Sequence, residues 1–258
     1  MKTAFLAWRD PQSHAWFPIA RVRSDNGGFF FEYVNGAEKA GKTGRFKPIA
    51  PFDELDKIHY FDSLFPLLAN RLLSTKREDF AQFIQWLGLP SPQNDPLVLL
   101  GRSGASRQTD DFEMFSLPES DAQGRIEIHF FVHGQAHFPL ESMERVLRLK
   151  KDDSLLVVWD MQNPYDPRAL GLRTNETLGH GDRFLIGYCP RYLNSDLLTA
   201  LAQPDEPPRI TVERVNPPPA PPQVRLLCRL TARTTPEFSF FTSGDFVALS
   251  GQPEIAHS

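Results

Sequence analysis

The chain has 258 residues, enough for one large or two small domains with a substantial core. Its 28 Lys and Arg against 32 Asp and Glu give a net charge of −4, so no overall positive field marks a strong duplex-binding protein. Two cysteines cannot build a disulfide framework, and no apolar run reaches the length of a membrane span. These features predict a cytoplasmic protein with no membrane partner.

The first half of the chain predicts short strands followed by short helices. Period-2 apolar patterns are typical of an antiparallel meander, and apolar residues three and four apart then indicate helices. We predict strands at 3–9, 16–23 and 29–34 and helices at 64–73, 80–87 and 95–100. A Gly follows each of the last two helices, and these glycines, Gly88 and Gly101, are expected to end them.

Residues 36–43, GAEKAGKT, match the phosphate-binding pattern G-x-x-x-x-G-K-[ST] in full. Such a loop needs a helix that starts at its lysine, because the N–H groups of the helix N-terminus hold the phosphates. Here Lys42 is soon followed by Gly44 and Pro48, which make a poor helix start. We therefore expect a flexible basic loop, and an NTP-binding enzyme is the weakest of the alternatives.

A polar stretch with Pro and Gly that ends at Gly124 predicts a domain boundary. Short strands separated by turn residues follow it, with two short helices between them. We predict a first α+β domain at 1–118, a linker at 119–124, a second domain at 125–235 and a tail of uncertain order at 236–258. In the second domain, strands are predicted at 125–132, 155–159, 169–173, 184–188, 210–215 and 224–232, and helices at 139–149 and 195–201.

The segment 163–167, NPYDP, predicts a fixed corner after a strand. Its two prolines pre-set φ and offer no N–H to a ladder, so the segment cannot continue a central strand. A fixed corner that presents Asn163, Tyr165 and Asp166 together suits a small polar recognition site. The same residues could instead form a plain Asx turn beside a packed tyrosine.

Residues 163–170, NPYDPRAL, followed by residues 186–193, IGYCPRYL, resemble the HIRAN domain. This module is found at the N-terminus of some SWI/SNF-type DNA translocases and as a stand-alone bacterial protein. The resemblance implies a small β-barrel related to OB and SH3-like barrels. It also implies binding of single-stranded DNA, with the free 3′ end as the expected target.

The same resemblance implies roles for individual residues. Tyr165 would stack a base, Asp166 and Asn163 would hold the terminal sugar hydroxyl, and Arg191 would meet a phosphate. His137 stands where an aromatic residue usually follows the Gly after the first strand, and the preceding Ala136 replaces a frequent Arg, which weakens the expected phosphate affinity. The predicted nucleic-acid site is therefore Asn163, Tyr165, Asp166, Tyr188, Arg191 and His137.

The first half of the chain resembles the N-terminal lobe of the HipA-type kinases. The resemblance rests on FFFEY at 29–33, LFPLLANR at 64–71 and DPLVLLGRSGA at 95–105, and no kinase catalytic segment follows. In that family the lobe contacts partners and does no chemistry. It therefore implies that the first domain docks a protein partner.

His129, His133 and His137 could in principle join a cysteine in a zinc site, but no C-x-x-C or helical H-x-x-x-H motif supports one. We expect no metal, no cofactor and no catalytic residues. The sequence predicts a non-enzymatic, nucleic-acid-binding α+β protein. The first alternative is an adaptor that binds proteins but no DNA.

Overall fold

A computed structural model of the chain describes residues 2–25, 27–107, 110–175, 183–203 and 206–251. None of the helices in these ranges combines the length and apolar character needed to cross a bilayer. The elements are β1 (Lys2–Arg9), β2 (Trp16–Asp25), β3 (Gly28–Tyr33), α1 (Asn35–Gly41), β4 (Ile58–Phe61), α2 (Pro66–Ala69), α3 (Phe80–Trp86), α4 (Pro96–Ser103), β5 (Phe112–Ser116), β6 (Arg125–Phe131), α5 (Leu140–Leu147), β7 (Ser154–Trp159), β8 (Leu170–Thr174), β9 (Leu185–Tyr188), α6 (Arg191–Leu201), β10 (Arg209–Val215) and β11 (Leu226–Arg233).

Contacts within the described residues divide the chain into two compact units. The first unit takes residues from 2–75, 94–117 and 240–251, and the second takes residues from 76–93 and 118–239. One division falls between residues 117 and 118, beside the predicted linker. The segment 76–93 groups with the second unit, and part of the predicted tail groups with the first.

The first unit is an antiparallel sheet with the order β4-β3-β2-β1-β5. The predicted meander of three strands is confirmed, because β1 pairs with β2 and β2 with β3. Phe31 stacks on Phe52 at 4.1 Å between ring centroids, and Phe52 meets Phe65 at 4.8 Å. The buried Tyr33 donates its hydroxyl to the Phe52 carbonyl at 2.9 Å and accepts from the amide of Ile49 at 2.7 Å. These contacts hold the segment after α1 on the sheet.

The segment that matches the phosphate-binding pattern is largely a helix, so the expected flexible loop is wrong. Helix α1 covers most of it and ends before Lys42, which is the C-cap residue. The carbonyl end of the helix, with its partial negative charge, is therefore next to Lys42, the reverse of a phosphate-binding loop. A Cβ on Gly36 would lie 1.9 Å from the Pro18 carbonyl oxygen, so this glycine serves close packing of α1 on β2.

Helix α4 begins as predicted and continues past the predicted end. Asp95 accepts hydrogen bonds from two amides of its first turn at 2.9 and 3.2 Å, an N-terminal cap. The helix ends at Ser103, and the capping residue Gly104 has a left-handed φ of +77°. Gly101 therefore lies inside the helix and does not end it. A Cβ at this position would be 2.2 Å from the Ser116 Oγ atom on β5, so the close packing of α4 on β5 favours a glycine.

Part of the predicted tail contributes aromatic rings to the first unit. Phe241 lies 4.9 Å from Phe115, and Phe246 lies 4.9 Å from Phe5, between ring centroids. Phe241 is buried. These contacts attach residues 240–246 to β1 and β5.

The second unit is an antiparallel sheet with the order β6-β11-β10-β7-β8-β9. His133, just after β6, pairs with Tyr188 of β9 through two backbone hydrogen bonds of 2.9 Å each. The two outer strands of the sheet therefore meet, and the sheet curls into a barrel. This confirms the predicted α+β class, a meander with short helices followed by a small curled β-sheet. Its core is formed by buried apolar residues on the strands: Ile126, Phe130, Leu155, Leu170, Leu172, Ile186, Val212, Leu226, Leu230.

Two short helices follow β6 and β9 at the predicted places. Helix α6 starts at Arg191, four residues before the predicted start, with Pro190 as the residue before its first turn. Asn194, directly before the predicted start, is buried inside the helix. The first turns of α6 lie next to the corner between β7 and β8, because Asn194 and Ser195 form hydrogen bonds with Asp166 and Arg168.

Candidate nucleic-acid site at the corner between β7 and β8

The corner is an Asx turn held by Asn163. Its side-chain Oδ1 accepts from the amides of Tyr165 at 3.1 Å and Asp166 at 3.2 Å. Its Nδ2 lies 3.3 Å from Oδ2 of Asp160. Asn163 therefore shapes the corner, and its oxygen is already used by the backbone.

Asp160 connects the end of β7 to β9. Its Oδ2 accepts a hydrogen bond from the hydroxyl of Tyr188 at 2.9 Å, and its backbone amide donates to the carbonyl of Ala169 at 2.9 Å. Burial, followed by the contact with Asp160, raises the pKa of Tyr188 above its ordinary value. The Tyr188 hydroxyl therefore remains a hydrogen-bond donor, and it fixes the corner against the barrel wall.

Asp166 connects the corner to α6. Its Oδ2 accepts from Nδ2 of Asn194 at 2.9 Å, and its Oδ1 accepts from the amide of Arg168 at 2.9 Å. Arg168 in turn donates from Nη1 to Oγ of Ser195 at 3.1 Å. A carboxylate has about four acceptor positions, so Asp166 can accept a further hydrogen bond from a ligand hydroxyl.

Two aromatic side chains are exposed at the corner. Tyr165 is 61% exposed, so it is not the packed tyrosine of the plain-turn alternative. Trp159, at the end of β7, is 51% exposed, and its indole N–H donates to the carbonyl of Pro167 at 2.9 Å. This bond fixes the indole while leaving much of its surface open to solvent.

The remaining predicted site residues lie on the segments that flank β9. Arg191 is the first residue of α6 and is half-buried. His137 is exposed at the end of a 3-10 turn, and the ring of the next residue, Phe138, lies 5.8 Å from Tyr188. Asp160 thus joins Asn163 to Tyr188, and Asp166 joins the corner to α6.

Three contributors to this site are missing from the predicted set: Trp159, Asp160 and Asn194. The pattern that points to Trp159 is an aromatic residue directly before a proline-fixed corner. Asp160 and Asn194 act through partners 28 residues away in the sequence, so no local pattern marks them. The Oδ1 atom of Asn194 is buried and has no hydrogen-bond partner within the described part of the chain.

No group of three or more His, Cys, Asp or Glu within the described ranges could hold a metal ion. Cys189 and Cys228 are free and buried. Burial raises the pKa of both thiols, so they are neither ready nucleophiles nor ready metal ligands.

Comparison with known proteins adds little to this description. No family model and no curated protein matches the chain. A crystal structure of a protein from Lactobacillus plantarum, from a structural genomics consortium, is similar over 42% of this chain and 97% of that chain. The sequence identity is 18% and the TM-score 0.32, too low to support an argument about fold or function.

Proposed function

We propose that this is a cytoplasmic protein that binds single-stranded DNA at the corner between β7 and β8 and recognises a free 3′ end. The first support is the resemblance of residues 163–170 and 186–193 to the HIRAN domain. The second, which carries the proposal, is a pair of exposed aromatic side chains at that corner, Tyr165 on a fixed backbone turn and Trp159 held by its indole N–H. In this proposal the first unit does no chemistry and docks a protein partner.

Stacking on Tyr165 and Trp159 would supply most of the affinity. Tyr165 stands between two prolines on an Asx turn, and Trp159 is held by its hydrogen bond to Pro167. The indole of Trp159 therefore loses little conformational entropy when a base stacks on it, and the backbone that carries Tyr165 is already ordered. Each stacked base contributes about 1–3 kcal/mol, whatever its identity. This mode of binding needs few cations, which agrees with the net charge of −4.

The carboxylates of Asp160 and Asp166 would select a strand end. A phosphate placed next to them is repelled, whereas a terminal hydroxyl can donate a hydrogen bond to Asp166. Arg168 bonds to Ser195 of α6 and Arg191 begins that helix, so an internal phosphate that passed along the start of α6 would meet positive charge. In this arrangement the 3′ hydroxyl lies at Asp166 and the rest of the strand leads away.

A protein-binding adaptor without DNA affinity is the second candidate. It is favoured by exposed apolar side chains beside the corner, which stacking does not require. Met161 is 69% exposed, and Leu156 and Val158 are also exposed on β7.

Fluorescence polarisation with a short 5′-labelled oligo-dT strand tests the proposal. Tyr165→Ala should raise the dissociation constant by about tenfold, because one stacked base is lost. Tyr165→Phe keeps the ring and should bind like wild type, which makes it the matched control. Trp159→Ala should weaken binding by a similar factor. If wild type does not bind the strand, or if Tyr165→Ala binds it unchanged, the adaptor is the better account.

A further inference from the structure

Strand β4 is an open edge of the sheet in the first unit. It pairs with β3 through Phe61, Tyr60, His59 and Ile58, and it is the outermost strand on its side of the order β4-β3-β2-β1-β5. No other strand of the described chain pairs with it. An open edge offers unpaired backbone groups to an additional strand.

The register shows which residues of β4 offer those groups. Val34, just after β3, donates its amide to the carbonyl of Ile19 on β2 at 3.1 Å. The pairing of β2 with β3 and that of β3 with β4 contain no bulge, so this bond fixes the alternation along both pairs. Since bonding alternates along an antiparallel strand, even-numbered residues of β3 bond to β2 and odd-numbered residues bond to β4. The odd-numbered residues of β4 bond back to β3. Ile58 and Tyr60 therefore direct their N–H and C=O groups to the open side.

The same two residues present apolar side chains. Ile58 is 50% exposed and Tyr60 is 55% exposed. The Tyr60 ring is nevertheless fixed, since it lies 5.1 Å from Phe30 and covers Gly28, where a Cβ would be 2.3 Å from a ring atom. Its hydroxyl bonds to Asp62, which raises the pKa of Tyr60. A ring fixed in advance loses little entropy when a partner packs on it.

The segment that contains this edge is acidic, and the cation on the neighbouring sheet face, Arg23, is paired with Glu32 at 3.0 Å. Both of its flanks in the sequence carry exposed carboxylates, and the one lysine of the segment 53–62, Lys57, is paired with Glu54 at 2.6 Å. The exposed carboxylates of the segment 53–62 are Asp53, Glu54, Asp56 and Asp62. A second copy of the same edge, or a nucleic acid, would meet like charge here. A segment rich in Lys and Arg would meet opposite charge.

We propose that β4 binds an extended basic segment of a partner protein, which adds to the sheet as an outer strand. Ile58 and Tyr60 would form up to four backbone hydrogen bonds with it, alternate apolar side chains of the segment would pack on these two residues, and its basic residues would face the carboxylates. The inference rests on the docking role proposed for the first unit. It does not depend on DNA binding by the second unit.

The test measures binding of the full chain to a fluorescein-labelled peptide that alternates Lys or Arg with Val. Its counterpart has Glu in place of each basic residue. Wild type should bind the basic peptide, more weakly as salt increases, and should not bind the acidic one. Ile58→Pro removes an outward N–H that no strand uses, so β4 should remain folded while peptide affinity falls about tenfold or more. Ile58→Val keeps the N–H and should bind like wild type.

Charge reversal and DNA binding complete the test. Asp53→Lys combined with Asp56→Lys should weaken the basic peptide and favour the acidic one. All these variants should bind single-stranded DNA like wild type, which separates failure at β4 from failure at the corner. Absence of binding to the basic peptide, equal binding of both peptides, or binding that survives Ile58→Pro would each overturn the proposal.

Discussion

The Asx turn at Asn163 should support both the stability of the corner and its affinity for DNA. Asn163→Ala removes two hydrogen bonds accepted from backbone amides, at 3.1 and 3.2 Å, and the longer contact with Asp160. Each accepted bond contributes a net of about 0.5–1.5 kcal/mol, and the corner is partly exposed to water, so the loss should be about 1–2 kcal/mol. For a chain of this size the melting temperature should fall by about 2–8 °C.

The same change should loosen the backbone under Tyr165. Part of the stacking energy is then spent on ordering the ring, and the dissociation constant for single-stranded DNA should rise about three- to tenfold. The assays are thermal unfolding by circular dichroism and fluorescence polarisation with oligo-dT. Gln162→Ala is the control, because Gln162 is an exposed neighbour in the same segment. If Asn163→Ala behaves like Gln162→Ala in both assays, the side chain does not hold the corner and the reasoning fails.

Three further predictions concern the first unit. Tyr33→Phe should lower the free energy of unfolding by about 1–3 kcal/mol at neutral pH. Burial raises the pKa of Tyr33 to about 12. The stabilisation by its neutral hydroxyl is therefore complete below the ordinary pKa of about 10 and is lost as pH rises through 12. In urea unfolding at about pH 11, the free energy of unfolding of wild type should accordingly approach that of Tyr33→Phe. Gly101→Ala should cost about 1–3 kcal/mol in urea unfolding because its Cβ would meet Ser116, whereas Gly41→Ala, with nothing within 4 Å, should cost nothing. Calorimetric titration with ATP should show no binding. A micromolar dissociation constant that disappears in Lys42→Ala would contradict the conclusion that residues 36–43 do not form a phosphate-binding loop.

Local chemistry made the strands and the corner predictable. Alternating apolar residues favour a strand whichever neighbouring strand it pairs with. The prolines of 163–167 lack the N–H groups that pairing in a sheet requires, so they alone exclude a continuing strand. The same holds for Gly88, which ends α3 with a φ of +63° as predicted. Asp95 caps α4 through its own side chain. None of these features depends on residues far away in the sequence.

Tertiary contacts decided the elements that the sequence could not predict. Gly36 and Gly101 were expected in a loop and at a helix end, but each lies inside a helix where a neighbouring backbone or side chain leaves no space for a Cβ. Asn is a residue type favoured as a helix N-cap, yet Asn194 is the fourth residue of α6, where its side chain bonds to Asp166. In each case the local preference is outweighed by packing or by a long-range hydrogen bond.

The candidate site was predictable only in part for the same reason. Tyr165 and Asp166 could be named because the corner fixes them locally. Asp160 could not, since its significance arises from the hydroxyl of Tyr188 across the barrel wall. Trp159 followed the pattern of a strand, and only its exposure together with the bond to Pro167 sets it apart from a core residue.

The most direct test of the account compares single strands that differ only at the 3′ end. Fluorescence polarisation would measure binding of the full chain to one 5′-labelled strand with a free 3′ hydroxyl and to the same strand with a 3′ phosphate. Wild type should prefer the free end, and Asp166→Ala should bind both strands equally, without losing affinity for the phosphorylated one. Equal affinity of wild type for the two ends, or a preference that survives Asp166→Ala, would contradict recognition of the strand end at this corner.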